Sequence, residues 1–529
     1  MTRSGALALR PGNLNASMGA AVHPAVKPVL VRIHPRTSII NIWLVLIVLV
    51  GAIIVLADGL TRIPIEERQF TWNGPFDYEA CLGALLLAGA TFPLMILYAR
   101  KTKASVTEGL FLWFVFCTTA YARDFSYLRL PGTPIFVSDV VLLVLLVSIY
   151  VVRRPGPLRT PIVLNILLCL FLVAGAVSAA KGLWGHRDTI LVLRDLALVV
   201  YVLFLFVTHN LLRTWLSIKR VLLWIVLGSV LGTLNGLGWF VMVPSEGRFI
   251  WCGIYILVSL LGILLAIANR LVRRRVGWLL VIILCLGLSL ANTRSLFVSL
   301  VVLLPVGLLM GPILCDKVRS TRLAATVVTA AALAAFATFL FLRTQVGRDF
   351  VTLSADRLAS GVFHSDTDVD WQFRILAWKE AWSRFEKNPL LGEGFGVPFV
   401  FELADIDVRP HNTFLTVLYK MGLVGFSLLF ALLGCFLWHG LRAVRRNLAH
   451  QRVAFLQITL LAQLAFCLYG SANLLLESPF LASLFWATMG LSLRMIRLLD
   501  AQRLLRNAFP RGEAVYRLAS SLDLGPGKC

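Results

Sequence analysis

Long apolar runs, broken by short polar segments, recur along almost the whole chain. A helix of about 20 apolar residues is long enough to cross the hydrocarbon core of a bilayer. Fourteen runs of this kind predict membrane spans near 38–57, 79–98, 106–122, 135–152, 161–180, 189–208, 221–243, 250–269, 277–292, 295–314, 323–343, 422–441, 453–474 and 479–496. The pattern predicts an all-α polytopic integral membrane protein with about 14 (range 12–14) transmembrane helices.

The composition supports a membrane location and changes the meaning of the charge. Hydrophobic residues make up 58% of the 529 residues and charged residues 15%, whereas soluble proteins contain about 45–50% apolar residues. The formal net charge of +23 would suggest nucleic-acid binding in a soluble protein. In a membrane protein, basic residues instead mark the cytoplasmic side. We therefore expect membrane lipid, and no nucleic acid, as a partner.

The position of the basic residues predicts the orientation of the spans. With a cytoplasmic N-terminus, the predicted inner segments hold 32 Lys and Arg against four Asp and Glu, and the outer segments hold 17 against 20. This asymmetry predicts two cytoplasmic termini. The predicted regions are a cytoplasmic tail 1–37, spans 1–11 in 38–343, a large outer loop 344–421, spans 12–14 in 422–496, and a basic cytoplasmic tail 497–529.

The nine cysteines and the lack of repeats bear on the class of protein. None of the cysteines lies in the large outer loop and no CxxC spacing occurs, so we expect neither a disulfide framework nor a cysteine metal site. No internal repeat of the kind that marks many transporters is evident. A flippase for lipid-linked oligosaccharide and a scaffold subunit of an export complex nevertheless remain alternative hypotheses.

The large outer loop carries the most distinctive local pattern. Asp370 is predicted to cap a helix that runs to Lys387, with Trp371, Trp378 and Trp382 at helical spacing. Asn388-Pro389 would end this helix, and the glycine-rich turn 392–396 follows. A tryptophan stripe beside a bilayer is typical of an interfacial anchor. Sugar stacking is the alternative.

His411 is the candidate functional residue of this loop. It follows Arg409-Pro410 and stands with Asn412 at the predicted start of a helix. The N-terminus of a helix favours anions. The position therefore suits a functional histidine as well as an ordinary polar surface residue.

Three motifs resemble those of the O-antigen ligase family, the Wzy_C superfamily, over roughly residues 185–440. One is a His-Asn pair followed by two glycines, the second an Arg-Trp-Asn-Pro-Gly series, and the third an outer hairpin. The first motif is formed by His411-Asn412, Gly422 and Gly425. The second is formed by Arg374, Trp378, Asn388-Pro389 and Gly392-Glu393-Gly394-Phe395-Gly396. The third is Thr293-Arg294-Ser295.

The resemblance implies a polyprenol-dependent glycosyltransferase of the bacterial cell inner membrane with a periplasmic active site. The donor would be a glycan on undecaprenyl diphosphate, and the acceptor a lipid A-core hydroxyl. The alternative is a Wzy-type O-antigen or exopolysaccharide polymerase, whose acceptor is a growing polysaccharide. A protein O-oligosaccharyltransferase belongs to the same family. The resemblance implies no nucleotide sugar and no cofactor and, for ligases, no metal, and it suggests other polysaccharide assembly proteins as partners.

The implied donor gives the outer arginines a chemical role. Arginine stays charged and forms bidentate bonds to phosphate oxygens, so it suits a diphosphate leaving group. The candidates are Arg248, Arg294, Arg374 and Arg409. Arg248 and Arg294 are preferred because both lie at span ends. The alternative is that they anchor helix ends at the interface.

The remaining candidates are His411 and several polar residues. His411 could act as the general base for the acceptor hydroxyl, or it could orient the diphosphate. Asn412 and Tyr419 could bind sugar hydroxyls. Arg194, within a predicted span, is expected to pair with its neighbour Asp195 or equally with Asp139 or Glu108 on another span, or to help receive the lipid carrier.

Overall fold

The structure is a computed structural model of the chain. It describes residues 78–126, 128, 135–153, 161–242, 250, 253–314, 321–332, 352, 369–401, 409–448 and 451–508. These residues form helices and their connections, without a β-strand. The predicted all-α class is therefore confirmed for this part of the chain.

The described residues contain fifteen α-helices, numbered here in chain order. They are α1 Tyr78–Lys101, α2 Val106–Ser126, α3 Val137–Val147, α4 Ile162–Trp184, α5 Thr189–Val200, α6 Leu203–Leu211, α7 Trp215–Met242, α8 Gly253–Ala268, α9 Arg274–Ala291, α10 Arg294–Leu314, α11 Thr321–Ala332, α12 Val369–Lys387, α13 Thr413–Arg446, α14 Val453–Gly470 and α15 Pro479–Ala508. A π-helix, Ser148–Arg153, continues α3.

Helices lie at thirteen of the fourteen predicted span positions, and the first prediction, 38–57, falls outside the described residues. Six of the described helices are long and apolar enough to cross a membrane, or seven if the bent pair α5 and α6 is one broken span. These two helices meet at 42°. A multi-pass membrane protein is thus supported, while the number of about fourteen spans stays a prediction.

One end of the helix bundle joins segments that the charge pattern assigned to the cytoplasm. Arg220, at the start of α7, forms an ion pair with Glu108 at 2.9 Å and donates to the carbonyl of Thr102. Arg494 of α15 donates to the carbonyl of Arg213. We call this end, with residues 102–108, 213–220 and 494, the basic end.

Two of the predicted partners of Arg194 make other contacts. Glu108 is paired with Arg220 at the basic end. Asp139 accepts a hydrogen bond from the backbone N–H of Phe136 at the start of its own helix. Each of these two carboxylates thus has a partner other than Arg194. The pairing of Arg194 itself stays a prediction.

The opposite end of the bundle joins the segments that the sequence assigned to the outer face. The α4–α5 turn contacts the glycine-rich turn 392–396, and the α14–α15 turn contacts the starts of α10 and α13. We call this the site end. The α1–α2 and α6–α7 connections thus lie at the basic end, and the α4–α5, α9–α10 and α14–α15 connections lie at the site end.

Helices α12 and α13 pack against each other at the site end. Helix α12 begins at Val369, one residue before Asp370, so Asp370 lies inside the helix rather than at its predicted cap. It ends at Lys387, as predicted. Helix α13 begins after Asn412 and has non-helical backbone at Gly422, where φ is 65°. A small apolar core between them contains Ala377, Ala381, Phe399 and Tyr419.

Candidate functional site

His411 lies directly before α13 in a left-handed backbone conformation with φ of 50°. Asn412 caps the helix: its side-chain oxygen accepts hydrogen bonds from the N–H groups of Phe414 and Leu415, each at 3.1 Å. The His411 ring contacts the edge of Phe373 of α12, with the ring centroids 5.9 Å apart. The ring is half-buried. The cap and the aromatic contact therefore fix the histidine at the site end.

Helix α12 also holds the backbone just before His411. The indole N–H of Trp378 donates to the carbonyl of Pro410 at 2.8 Å, and Trp371 packs edge-on against Trp378. Arg374 lies on the same face of α12, because residues three and four apart share a helix face. Trp382 is 49% exposed. The predicted stripe thus divides into two inward tryptophans and one outward one.

A buried charge cluster lies beneath this segment. Asp195 of α5 accepts from the Arg409 guanidinium at 2.5 Å, from the Lys420 ammonium at 3.0 Å and from the N–H of Gly396 at 2.9 Å. Lys420 also lies 3.4 Å from Glu393. We name these four charged residues, Asp195, Glu393, Arg409 and Lys420, the Asp195 cluster. Its two acids balance two bases, which is what keeps buried charges tolerable.

The glycine-rich turn 392–396 contacts α4 and the α4–α5 turn on one side and α13 on the other. Gly392, Gly394 and Gly396 all have positive φ, a conformation in which glycine avoids the steric cost of a Cβ. Lys181 donates to the carbonyl of Gly392 at 2.6 Å, and Arg187 donates to those of Glu393 and Phe395. The turn therefore joins the α4–α5 connection to α13.

Glu393 is a polar side chain within this turn. Burial raises the pKa of Glu393, whereas the positive charges of Lys420 and Arg384 act in the opposite direction. Its backbone N–H donates to the carbonyl of Tyr419 at 2.8 Å. Both the side chain and the backbone of Glu393 thus face the first turns of α13.

The α14–α15 turn connects the start of α13 to the α9–α10 hairpin. Thr413 donates to the Glu477 carboxylate at 2.5 Å and accepts from the N–H of Leu475 at 2.7 Å. Asn473 of the same turn donates to the hydroxyl of Ser295 at 2.7 Å. Arg294 precedes Ser295, so two hydrogen-bonding steps connect the arginine hairpin to the residue two positions after His411.

The family model described as O-Antigen ligase, Wzy_C, matches residues 237–430. These residues are an O-antigen ligase family domain. The resemblance predicted from the motifs is confirmed, and the family indicates a membrane enzyme of the O-antigen ligase or polymerase type. No curated protein matches the chain.

Most of the predicted site residues lie within the O-antigen ligase domain, and the structure gathers them at the site end. Arg294, Arg374, Arg409, His411 and Asn412 all lie there. Arg248 lies outside the described residues. Arg194 lies in α5 beside Asp195, is half-buried and precedes the matched segment. The roles predicted for these residues stay predictions.

Two predicted residues have contacts that bear directly on their roles. Arg409 is held by Asp195, so it also stabilises the segment before His411. Tyr419 is fully buried against Phe399, with ring centroids 5.2 Å apart. Its hydroxyl is buried as well, and the charges of Arg409, Asp195 and Glu393 lie near it. The role of Tyr419 in binding a sugar hydroxyl stays a prediction.

The sequence pointed to no role for four charged residues that lie at the site end: Asp195 as a partner of Arg409, and Lys420, Glu393 and Glu477. A signal existed for Lys420, because a lysine between Leu418 and Met421 interrupts an apolar helical face. Glu477 gave no such signal, since a lone acid in a short turn is ordinary. In the part of the chain that the structure describes, no three His, Cys, Asp or Glu side chains gather as a metal site requires.

Proposed function

We propose that the protein is an inner-membrane glycosyltransferase of the O-antigen ligase type. It transfers a glycan from undecaprenyl diphosphate to a hydroxyl of the lipid A-core acceptor, at the periplasmic face. The wider class, a membrane enzyme of the ligase or polymerase type, follows from the family. The donor, the acceptor and the side of the membrane belong to the proposal.

The observation that carries the proposal is the meeting of three distant segments at one end of the bundle. The hairpin with Arg294, the α12 face with Arg374 and the segment Arg409–Asn412 are joined by the hydrogen bonds of Trp378, Thr413 and Asn473. All three lie within the matched residues 237–430. Three arginine-bearing segments that meet beside a histidine suit a reaction whose leaving group is a diphosphate.

The reaction forms one bond and breaks one bond at the anomeric carbon of the donor sugar. The acceptor oxygen attacks this carbon, the carbon–oxygen bond to the diphosphate breaks, and the acceptor proton passes to a base. Direct attack inverts the configuration and needs no covalent intermediate. Arg294 and Arg374 stabilise the charge that develops on the leaving diphosphate. His411 either takes the acceptor proton or donates to the diphosphate.

The periplasmic position of the site rests on the charge pattern. The segments of the basic end are rich in Lys and Arg, and in bacterial membranes such segments face the cytoplasm. The site end would then face the periplasm, where a lipid-linked donor and a lipid A-core acceptor meet. The partners we propose are this donor, this acceptor and membrane lipid.

The test compares His411→Ala with His439→Ala, a change in the same helix toward its opposite end. We expect His411→Ala to abolish surface glycan, while the protein still inserts in the membrane at the wild-type level. His439→Ala should retain surface glycan. Retained glycan in His411→Ala would contradict the proposal and would favour a flippase or a scaffold subunit, neither of which needs this imidazole.

A gel of the deletion strain separates ligase from polymerase. Loss of a ligase leaves bare lipid A-core and glycan accumulated on undecaprenyl diphosphate. Loss of a polymerase leaves core with a single repeat unit, or no exopolysaccharide. We expect the first pattern, and the second would identify the polymerase.

A further inference from the structure

Glu477 places a carboxylate at the start of α13, next to the segment that carries His411. It lies in the α14–α15 turn, and its Oε2 atom accepts hydrogen bonds from the Thr413 hydroxyl at 2.5 Å and from the N–H of Leu475 at 3.3 Å. Thr413 in turn accepts from the N–H of Leu475. The orientation of the carboxylate is therefore set by α13 itself.

The second oxygen of Glu477 is buried and has no hydrogen-bond donor among the residues that the structure describes. The carboxylate forms no ion pair within those residues either. Leaving a buried acceptor unsatisfied is costly. A site that holds one carboxylate oxygen firmly and leaves the other without a donor is suited to a ligand that brings a hydroxyl group.

The surroundings of Glu477 indicate which hydroxyl this is. Its hydrogen-bond partner Thr413 lies two residues after His411, and Asn473 of its own turn bonds to Ser295 beside Arg294. The carboxylate thus belongs to the same end of the bundle as the proposed diphosphate ligands. A carboxylate is repelled by the negatively charged diphosphate, so the group that suits it is a neutral hydroxyl of the acceptor.

We propose that Glu477 is the general base of the transfer reaction, an inference that rests on the proposed function. Oε1 accepts a hydrogen bond from the attacking hydroxyl of the glycan acceptor. As the oxygen bonds to the anomeric carbon, the proton passes to Oε1 and the bond to the diphosphate breaks. The protonated carboxyl then loses its proton to water. His411 has the other of its two roles and donates to the leaving diphosphate.

Glu477→Gln is the decisive variant. A glutamine keeps an oxygen that can accept from Thr413 and Leu475, so folding should be unchanged, but it cannot take a proton. We expect kcat to fall by roughly 10²–10⁴-fold, the range that general bases contribute. The KM for the lipid-linked donor and the thermal unfolding midpoint should stay at wild-type values. Glu386→Gln, an exposed residue of α12, is the matched control and should be fully active.

Chemical rescue gives a readout that a structural role would not produce. Added formate should restore part of kcat in Glu477→Ala, because a small carboxylate can occupy the vacated space, and it should not restore kcat in His411→Ala. A loss below tenfold in Glu477→Gln, a matching loss of thermal stability, or no rescue by formate would overturn the inference. If the wild-type protein itself transfers no glycan from the polyprenyl diphosphate donor, the proposed function has failed. This outcome differs from a failure of the Glu477 inference, in which the wild type is active.

Discussion

Asp195 shows how a single buried side chain can hold a functional segment in place. Its two oxygens accept from Arg409, Lys420 and the backbone of Gly396. Arg409 lies two residues before His411, so the carboxylate on α5 holds in place the segment that leads into α13. Positioning of this kind acts on catalysis through geometry rather than through contact with the substrate.

Asp195→Asn should therefore weaken both stability and transfer. Removal of one partner from a buried ion cluster costs about 3–5 kcal/mol, because the remaining charges lose their compensation. We expect a clear drop in the thermal unfolding midpoint of the purified protein, with a parallel loss of glycan transfer. Lys420→Met in the Asp195→Asn background removes the excess positive charge and should recover part of the midpoint. No recovery in the double variant would contradict this account of the cluster.

Gly422 illustrates a backbone requirement at a single position. A Cβ at this residue would lie 2.2 Å from the carbonyl oxygen of Leu390 and 2.5 Å from the nitrogen of Gly392, and φ is 65°. With ψ of −168° this is a backbone conformation that essentially only glycine adopts, and it costs another residue about 1–3 kcal/mol. Gly422→Ala should displace the 390–392 turn, lower the unfolding midpoint and reduce transfer.

Gly434 provides the control for this prediction on the same helix. A Cβ at Gly434 would meet no atom within 4 Å. Gly434→Ala should leave transfer at the wild-type level and raise the midpoint slightly, since alanine favours helix by up to about 1 kcal/mol. Equal unfolding midpoints and equal glycan transfer in the two variants would show that the close backbone approach at Gly422 affects neither stability nor activity.

At the scale of elements, α12 acts as a support for the start of α13. Phe373 contacts the ring of His411 and Trp378 bonds to the carbonyl of Pro410, so one helix face fixes both the imidazole and the backbone before it. Trp382 faces outward and bonds to Glu386. Trp378 therefore positions the segment before His411, whereas the exposed Trp382 keeps the predicted role of an interfacial anchor.

Trp378→Phe tests the support directly. It preserves most of the ring but removes the hydrogen bond, leaving the carbonyl of Pro410 without its donor at a cost of about 1–3 kcal/mol. We expect kcat for glycan transfer to fall more than KM for the donor rises, because the change acts on the geometry of the His411 segment. Trp382→Phe removes an equivalent exposed bond and should change kcat little. A larger effect of Trp382→Phe would favour the anchoring or sugar-stacking interpretation of the stripe.

The elements were largely predictable from the sequence, whereas their pairing was not. Apolar run length located most helices, and the end of α12 followed from Asn388-Pro389. The partners of Asp195 could not be predicted, because Arg409 and Lys420 lie more than 200 residues away and nothing local distinguishes them from other cations. The pairing of Glu108 with Arg220 was missed for the same reason. His411 was found because its motif is compact in sequence, while Glu477 reaches the site only through the fold.

At the scale of the whole molecule, the described helices form a bundle whose two ends differ in chemistry. Residues 102–108, 213–220 and 494 meet at the basic end, and the His411 segment, the glycine-rich turn and the α14–α15 turn meet at the site end. The charge pattern assigns the same two groups of segments to opposite sides of the membrane. The contacts and the charge pattern are independent observations. The charge pattern assigns the site end to the periplasm.

Cysteine labelling tests this orientation on the whole molecule. Lys387→Cys places a thiol at the exposed end of α12, and Arg273→Cys places one in the exposed α8–α9 turn at the other end. In a variant without the native cysteines, we expect a membrane-impermeant maleimide to label Lys387→Cys in cells with a permeabilised outer membrane. Arg273→Cys should react only after the inner membrane is broken, because its turn faces the cytoplasm. The reverse pattern would place the His411 segment in the cytoplasm, where the lipid A-core acceptor and the outward-facing donor could not meet it.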